Sequence, residues 1–534
     1  MTRWLTVLVC MAACVYVQAA CFEDMVPMRD GVRLYTRAVT PDGDGKHPCV
    51  FKRTPYPRGD ELKVPYPASA AAANRSAKRG YVEVVQHCRG FGRSEGFCRV
   101  YVEREDGLDT LDWIRRQPWY NGEIFLEGGS YTTSVHLLYL GDEPPDVKGA
   151  AFAIQTDRMY FRNYRNGCNY AWCNFSWWKS MVAREFPQAK GGADVIRRPY
   201  RDIALRAFGK DMPAYTGFLM HTENDAFWTA DARTEVMSHI KFPVLWNEGW
   251  WDFYIEGMTS MWERMLPEWK AKSVYVVGPG GHGGNAIKGT PIPQNHIASG
   301  CDALDFFDAV RAGKTYAPAE TGKVRAYSVG ADEWRSLAWP RAAAEVRTFA
   351  LGADGSLVEG ASASAGTVAW TYDPHVRLPG FPDTKCVRAF APGTLAGAQA
   401  FTSKPFEQET AFFGKPRIRL PVSSDCDDTQ FFFRIDLVAP DGSAWNLTQT
   451  ISTLRHAHAD YKAGQTVELD LEFPLIAFTV KKGWGVRLDA TSEGGVYVPH
   501  ANVAKHWAEV TEDEVRIARN SIHCGRAILS LPIQ

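Results

Sequence analysis

Three residues far apart in this chain, Ser130, Asp252 and His282, stand where nucleophilic chemistry would need them. Serine is a poor nucleophile until a histidine takes its proton, and that histidine needs a buried carboxylate to fix its tautomer and stabilise the imidazolium. Ser130 sits in Gly128-Gly129-Ser130-Tyr131, between the short, largely apolar segment 123–127 and the helix-compatible segment 132–140. A serine on a sharp glycine turn between strand and helix is a nucleophile elbow. The glycines allow the tight backbone, and the helix N-terminus favours a developing negative charge.

The elements that must carry the partners have the same form. The apolar run Phe242-Pro243-Val244-Leu245-Trp246 leads through Gly249-Trp250-Trp251 to Asp252, and the β-branched run Ser273-Val274-Tyr275-Val276-Val277 leads through a Gly/Pro loop to His282. Each reads as a strand that delivers one side chain at its C-terminal edge, and the order Ser, Asp, His is that of α/β-hydrolases. Residues 20–155, resumed over 236–315, alternate strand-like and helix-like segments and read as the α/β core. The interruption at 156–235 is rich in aromatics, among them Tyr160, Phe161, Tyr164, Tyr170, Trp172, Phe175, Trp177 and Trp178. It falls where this fold places a helical cap. Most of these rings are expected to form the cap's own core and a few to face the substrate, because such pockets are largely apolar. From about 320 to 534 the pattern changes to short period-two strands split by Gly, Pro and Asp, such as 417–422, 431–438 and 466–471, which argues a β-sandwich.

Several motifs together resemble one family. They are Thr54-Pro55-Tyr56 with Arg58-Gly59-Asp60, Arg89-Gly90-Phe91-Gly92-Arg93-Ser94-Glu95-Gly96, Asp106-Gly107-Leu108-Asp109-Thr110 through Trp113, and Gln117-Pro118-Trp119. The elbow, Gly249-Trp250-Trp251-Asp252 and Val277-Gly278-Pro279 with His282 complete the set. Over nearly the whole chain after residue 20 the sequence resembles the cocaine esterase and X-Pro dipeptidyl-peptidase type (CocE/NonD) serine hydrolases, which include α-amino acid ester hydrolases. The resemblance implies an α/β-hydrolase core with a helical cap and a C-terminal jelly roll. It also implies the Ser130, Asp252, His282 triad, with the Tyr56 hydroxyl and the Tyr131 backbone N–H as oxyanion donors. There are departures: Thr133 replaces a usual glycine, Thr132 breaks the simpler Gly-x-Ser-x-Gly spacing, His87 stands where aspartate is common, and Glu248 replaces a small residue. Because threonine resists positive φ, the helix is expected to begin in ordinary α conformation.

With 60 basic and 61 acidic residues in 534, the formal charge of −1 points to neither nucleic acid nor an acidic membrane surface. Residues 1–19 read as a cleaved signal peptide, with Met1-Thr2-Arg3 as a positive start, an apolar Trp4–Val17 stretch too short to span a bilayer, and a small-residue site at Val17-Gln18-Ala19. A secreted or periplasmic protein is expected, free rather than lipidated at Cys21, because Gln18 does not suit a lipidation site. Removing the signal leaves ten of the 12 cysteines, with Cys88/Cys98 and Cys168/Cys173 as local disulfide candidates. Cysteine spacing matches no zinc motif, and His456-Ala457-His458-Ala459-Asp460 reads as an exposed loop rather than a metal site. Glu127 and Glu248 border the expected site and are candidates to hold a substrate ammonium, but each is expected to face solvent or pair with an arginine. The expected activity is hydrolysis of a small ester, amide or peptide without metal or organic cofactor, in a possible homo-oligomer. The competing reading is an inactive exported binding protein that works through its β-sandwich.

Overall fold

The structure, a computed structural model, describes residues 20–229, 236–283, 299–341, 345–360, 362–376, 397–495 and 497–534, except the side chains of 171–174. The expected signal peptide lies outside these residues. A ten-stranded sheet runs in the order Cys21–Pro27, Arg33–Val39, Val82–His87, His47–Thr54, Tyr120–Gly129, Val147–Ala153, Val244–Gly249, Val274–Gly278, Val324–Ser328 and Glu333–Leu337. Pairing is parallel from Val82–His87 through Val324–Ser328 and antiparallel at both edges.

The central strands carry apolar runs in their middles because both faces are covered there. Phe125, Leu245 and Val276 enter one cluster with Leu304, Phe306 and Phe307 of the helix Ala303–Arg311. Their neighbours Ile124, Leu126, Val244, Trp246, Tyr275 and Val277 point to the other face, with Leu111, Leu137, Met258 and Trp262 from the helices Arg104–Arg115, Tyr131–Leu140 and Ile255–Arg264. This period-two alternation holds the strands in register, so their C-terminal ends fall along one edge. The ends of Tyr120–Gly129, Val244–Gly249 and Val274–Gly278 lie close to one another there.

Between residues 154 and 243 the chain leaves the sheet as short helices, including Met159–Asn163, Ala171–Met181, Ile203–Phe208 and Pro213–Met220. Tyr160, Tyr164, Phe175 and Trp178 are buried in a cap cluster with Tyr215 and Leu219, whereas Phe161 and Trp177 are only partly buried. Trp507 and Ala508 of the C-terminal region join this cluster, so the cap is packed on two sides.

Beyond the hydrolase sheet lies a β-sandwich whose eleven-stranded sheet includes Arg417–Ser424, Gln430–Val438 and Val467–Glu472. Cys88, Cys98 and Cys168 are free and buried, so the candidate Cys88–Cys98 pair is not formed, and the Cys173 side chain lies outside the described residues. The His456 segment is a helical turn, Leu454–Ala457, rather than a loop, with His456 Nδ1 3.0 Å from Glu223. Among the described residues no helix is long and apolar enough to cross a membrane, and no group of three or more His, Cys, Asp or Glu residues could hold a metal ion.

Candidate active site

Ser130 has φ 56° and ψ −129°, a backbone conformation costly for any residue with a Cβ. Its neighbours hold it there. Ser130 N–H donates to Ala153 O on the adjacent strand at 2.9 Å. A Cβ on Gly128 would lie 2.4 Å from Thr132 O, so only glycine lets the chain double back. The helix Tyr131–Leu140 then begins without positive φ at Thr132 or Thr133, as expected. Thr132 contributes directly: Gly129 N–H donates to its Oγ1 at 2.6 Å. The departure from the usual elbow spacing therefore carries its own backbone support.

His282 Nε2 is 3.0 Å from Ser130 Oγ, and His282 Nδ1 is 2.8 Å from Asp252 Oδ2. With Nδ1–H given to the carboxylate, Nε2 is left as the acceptor for the serine proton. The Asp252 side chain is 0% exposed, whereas His282 keeps 29% exposure and stacks on Phe253 with centroids 4.7 Å apart. Two backbone bonds tie the Asp252 and His282 loops together: Trp250 N–H to Gly278 O at 2.9 Å and Trp251 N–H to Gly280 O at 3.1 Å. Gly249 makes this approach possible, because a Cβ there would stand 2.3 Å from Gly280 O. The indoles anchor the same loop outward, Trp250 to Tyr327 O and Trp251 to Asn446 O of the sandwich. Asp252 itself is no helix cap: its Oδ1 accepts Tyr254 N–H at 2.9 Å, and the following helix starts at Ile255.

Tyr56 follows the strand His47–Thr54 and is 39% exposed. Its hydroxyl oxygen accepts the Trp177 indole N–H at 2.9 Å, which leaves the phenolic hydrogen free to point elsewhere. Desolvation raises the Tyr56 hydroxyl to about 12, so it stays protonated and can donate. A cavity of about 590 Å³ opens beside it, lined by Thr54, Gly129, Thr132 and the Lys52–Glu127 ion pair. Glu127 is thus neutralised by Lys52. Glu248 borders a second cavity, of about 540 Å³, and receives Gly249 N–H at 2.8 Å.

Tyr131 contributes the first N–H of its helix, a donor with no intrahelical partner. Its side chain is buried and donates to Glu103 Oε1 at 2.6 Å, while its oxygen accepts Tyr101 N–H. Burial pushes the Glu103 carboxyl up to about 7. The unfolded chain ionises near 4.5 and the folded chain only near 7, so native stability is lost as pH rises between the two. The loss should reach roughly 3 kcal/mol above pH 7. Glu103→Gln, compared with the parent by urea melts at pH 4.5 and pH 8, should lack this part of the pH dependence. An unchanged pH slope would show that Glu103 is not the group responsible.

His87, another of the departures, is fully buried, and burial lowers it to about 4, so it is a neutral acceptor for the Arg93 backbone N–H at 3.2 Å. Gly92 lets the loop pass it, since a Cβ there would be 2.4 Å from His87 Nδ1. Arg89 of the same loop grips Asp106 and Asp30. Sequence reasoning placed Trp177 among the cap aromatics without singling it out, and it missed Glu103 altogether. Nothing in periodicity distinguishes a ring aimed at the site from one aimed at the cap core.

The X-Pro dipeptidyl-peptidase (S15 family) description matches residues 30–284, and the X-Pro dipeptidyl-peptidase C-terminal non-catalytic domain matches 317–530. A cocaine esterase from Rhodococcus sp. (strain MB1 Bresler) is 25% identical over 559 residues, covering 94% of this chain and 96% of that protein. Among solved structures, an α-amino acid ester hydrolase superposes with TM-score 0.83 at 20% identity, covering 100% of both chains. An aminopeptidase from the marine sediment archaeon Thaumarchaeota archaeon gives 0.79 at 19% identity, covering 97% of this chain and 96% of its own. These two structural likenesses show a shared fold.

Proposed function

Because the chain belongs to the CocE/NonD-type serine hydrolases, we propose that it cleaves a small ester, amide or peptide through an acyl-enzyme on Ser130. His282 takes the serine proton as Ser130 Oγ attacks the carbonyl carbon, and Asp252 holds the imidazolium that forms. The Tyr56 hydroxyl and Tyr131 N–H receive the oxyanion. His282 then gives its proton to the leaving group, and water repeats the sequence on the acyl-enzyme. The observation that carries this reading is the unbroken path from Ser130 through His282 to a fully buried Asp252, with contacts of 3.0 and 2.8 Å. Labelling with a fluorophosphonate followed by peptide mapping tests it: the adduct should sit on Ser130, and a protein that stays unlabelled would overturn the proposal.

An inactive binding protein is not favoured, because the strained turn sets the Ser130 hydroxyl against a histidine that a buried carboxylate already holds. The N-terminal pattern supports an exported protein, cleaved before Ala20 or Cys21. Tyr56→Phe keeps the ring and removes only the hydroxyl. It should lower kcat by about a hundredfold to a thousandfold with much less change in KM, because the lost bond matters chiefly in the transition state. Near-normal kcat on the best substrate would remove Tyr56 from the oxyanion role.

A further inference from the structure

Arg162 is a buried cation beside the site, and its charge is answered by no acid among the described residues. It belongs to the cap helix Met159–Asn163 and is 6% exposed. Its Nε donates to Tyr254 Oη at 2.7 Å, and Nη1 is buried without a hydrogen-bond partner. The guanidinium carbon lies 4.4 Å from the Trp177 ring centroid and 5.9 Å from that of Tyr101. Other buried arginines are matched by carboxylates: Arg165 by Glu256 at 2.7 Å, Arg37 by Glu83 at 3.1 Å and Arg89 by Asp106 at 2.6 Å. The ionisable groups that act on Arg162 most strongly are the hydroxyls of Tyr101, Tyr254 and Tyr56.

A buried charge is ordinarily paired, and an unmatched one at a functional site calls for an explanation. Cation–π contact with Trp177 and Tyr101 offsets part of the cost but leaves the Nη1 hydrogens without an acceptor. The guanidinium is also one side chain from the reacting atoms on two sides. Trp177, on whose face it lies, donates to Tyr56 Oη, and Tyr254, to which it donates, lies 5.8 Å between ring centroids from His282. Tyr56 and Trp177 are both partly exposed, so the site opens onto the ring that Arg162 stacks on.

Resting on the hydrolase reading above, we propose that Arg162 binds a carboxylate carried by the substrate, so that the enzyme selects anionic esters or amides. A planar guanidinium suits a carboxylate because two parallel N–H···O bonds can form, and both are charge-assisted. The same guanidinium disfavours a substrate that brings an ammonium group close to it. The carboxylate could sit on the acyl side or on the leaving group, and two pairs of probes separate these. The acyl pair is mono-p-nitrophenyl glutarate against p-nitrophenyl hexanoate. The leaving-group pair is 4-acetoxybenzoate against 4-acetoxybenzamide.

In one pair the wild-type protein should prefer the anionic member by at least about tenfold in kcat/KM. Arg162→Met should erase that preference, losing about tenfold or more on the anionic ester, in step with the wild-type preference, and less than about threefold on its neutral partner, while Arg162→Lys keeps part of it. An equal loss on both members would make Arg162 a packing or positioning residue and overturn the proposal. The wild-type comparison is decisive even if the variants fail to fold: turnover of the neutral esters with no anionic preference in either pair also overturns it. A wild-type protein that turns over neither pair and takes no fluorophosphonate label would instead remove the hydrolase reading on which the proposal stands.

Discussion

Ser130→Ala is expected to fold as the parent does and to lose hydrolysis by on the order of a million-fold in kcat. The residue remaining would come from the oxyanion donors and from binding alone. The expectation that folding is spared follows from the contacts. The side-chain bond the serine makes in the resting protein is the 3.0 Å contact to His282, so alanine removes one partly exposed hydroxyl. The backbone constraint is unchanged, because alanine at φ 56° carries the same Cβ that serine does. Circular dichroism and Tm should therefore match the parent, and fluorophosphonate labelling should vanish. Wild-type turnover in a folded Ser130→Ala protein would mean that another group attacks the carbonyl. A general collapse of stability would instead show that the hydroxyl is a structural strut.

The positions of Ser130, Asp252 and His282 were legible because each lies just past a strand that the sequence marks locally, by an apolar run and then a glycine. Parallel strands covered on both faces read as continuous apolar runs, and their shared direction puts all three ends on one edge. What the sequence could not display was the close approach between loops. Gly249 looks like an ordinary turn residue, yet its need comes from Gly280 O, thirty-one residues away in the chain and 2.3 Å from where a Cβ would stand. Spacing misled at Cys88 and Cys98: nearness in the chain does not align two sulfurs, and both thiols are buried and separate. The change to short strands near residue 320 was visible, but two of those strands, Val324–Ser328 and Glu333–Leu337, extend the hydrolase sheet. An edge strand of one sheet and a strand of the next carry the same local pattern, and only pairing tells them apart.

Arg162 and Trp177 show a different limit. Both stand in an aromatic-rich insertion where nearly every residue has a bland explanation as cap core, and Tyr160, Tyr164 and Trp178 bear that explanation out. Direction decides which of them matter. Trp177 turns its indole N–H to Tyr56, and the arginine one helix earlier stacks on the same ring. A linear sequence holds no record of that turn.

Asp252→Asn is the sharpest probe of the charge behind the histidine, because it keeps the shape and removes the carboxylate. The Tyr254 N–H that Asp252 now accepts at 2.9 Å can still be accepted by the amide oxygen, so the loop should hold its place. The amide NH₂ would then face His282 Nδ1, where a carboxylate oxygen now lies at 2.8 Å. An NH₂ there needs an acceptor, which forces the imidazole proton onto Nε2 and points it at Ser130 Oγ. In that tautomer nothing accepts the serine proton, and the imidazolium that would form has lost its buried counter-charge. We expect kcat to fall about ten-thousandfold, with KM changing far less, because substrate binding does not use Asp252. Fluorophosphonate labelling of Ser130 should slow in parallel, since the same proton must move before the serine attacks. A folded Asp252→Asn protein within tenfold of wild-type kcat would show that the carboxylate does not set the tautomer, and that the tight Asp252–His282 contact serves the packing of the two loops instead.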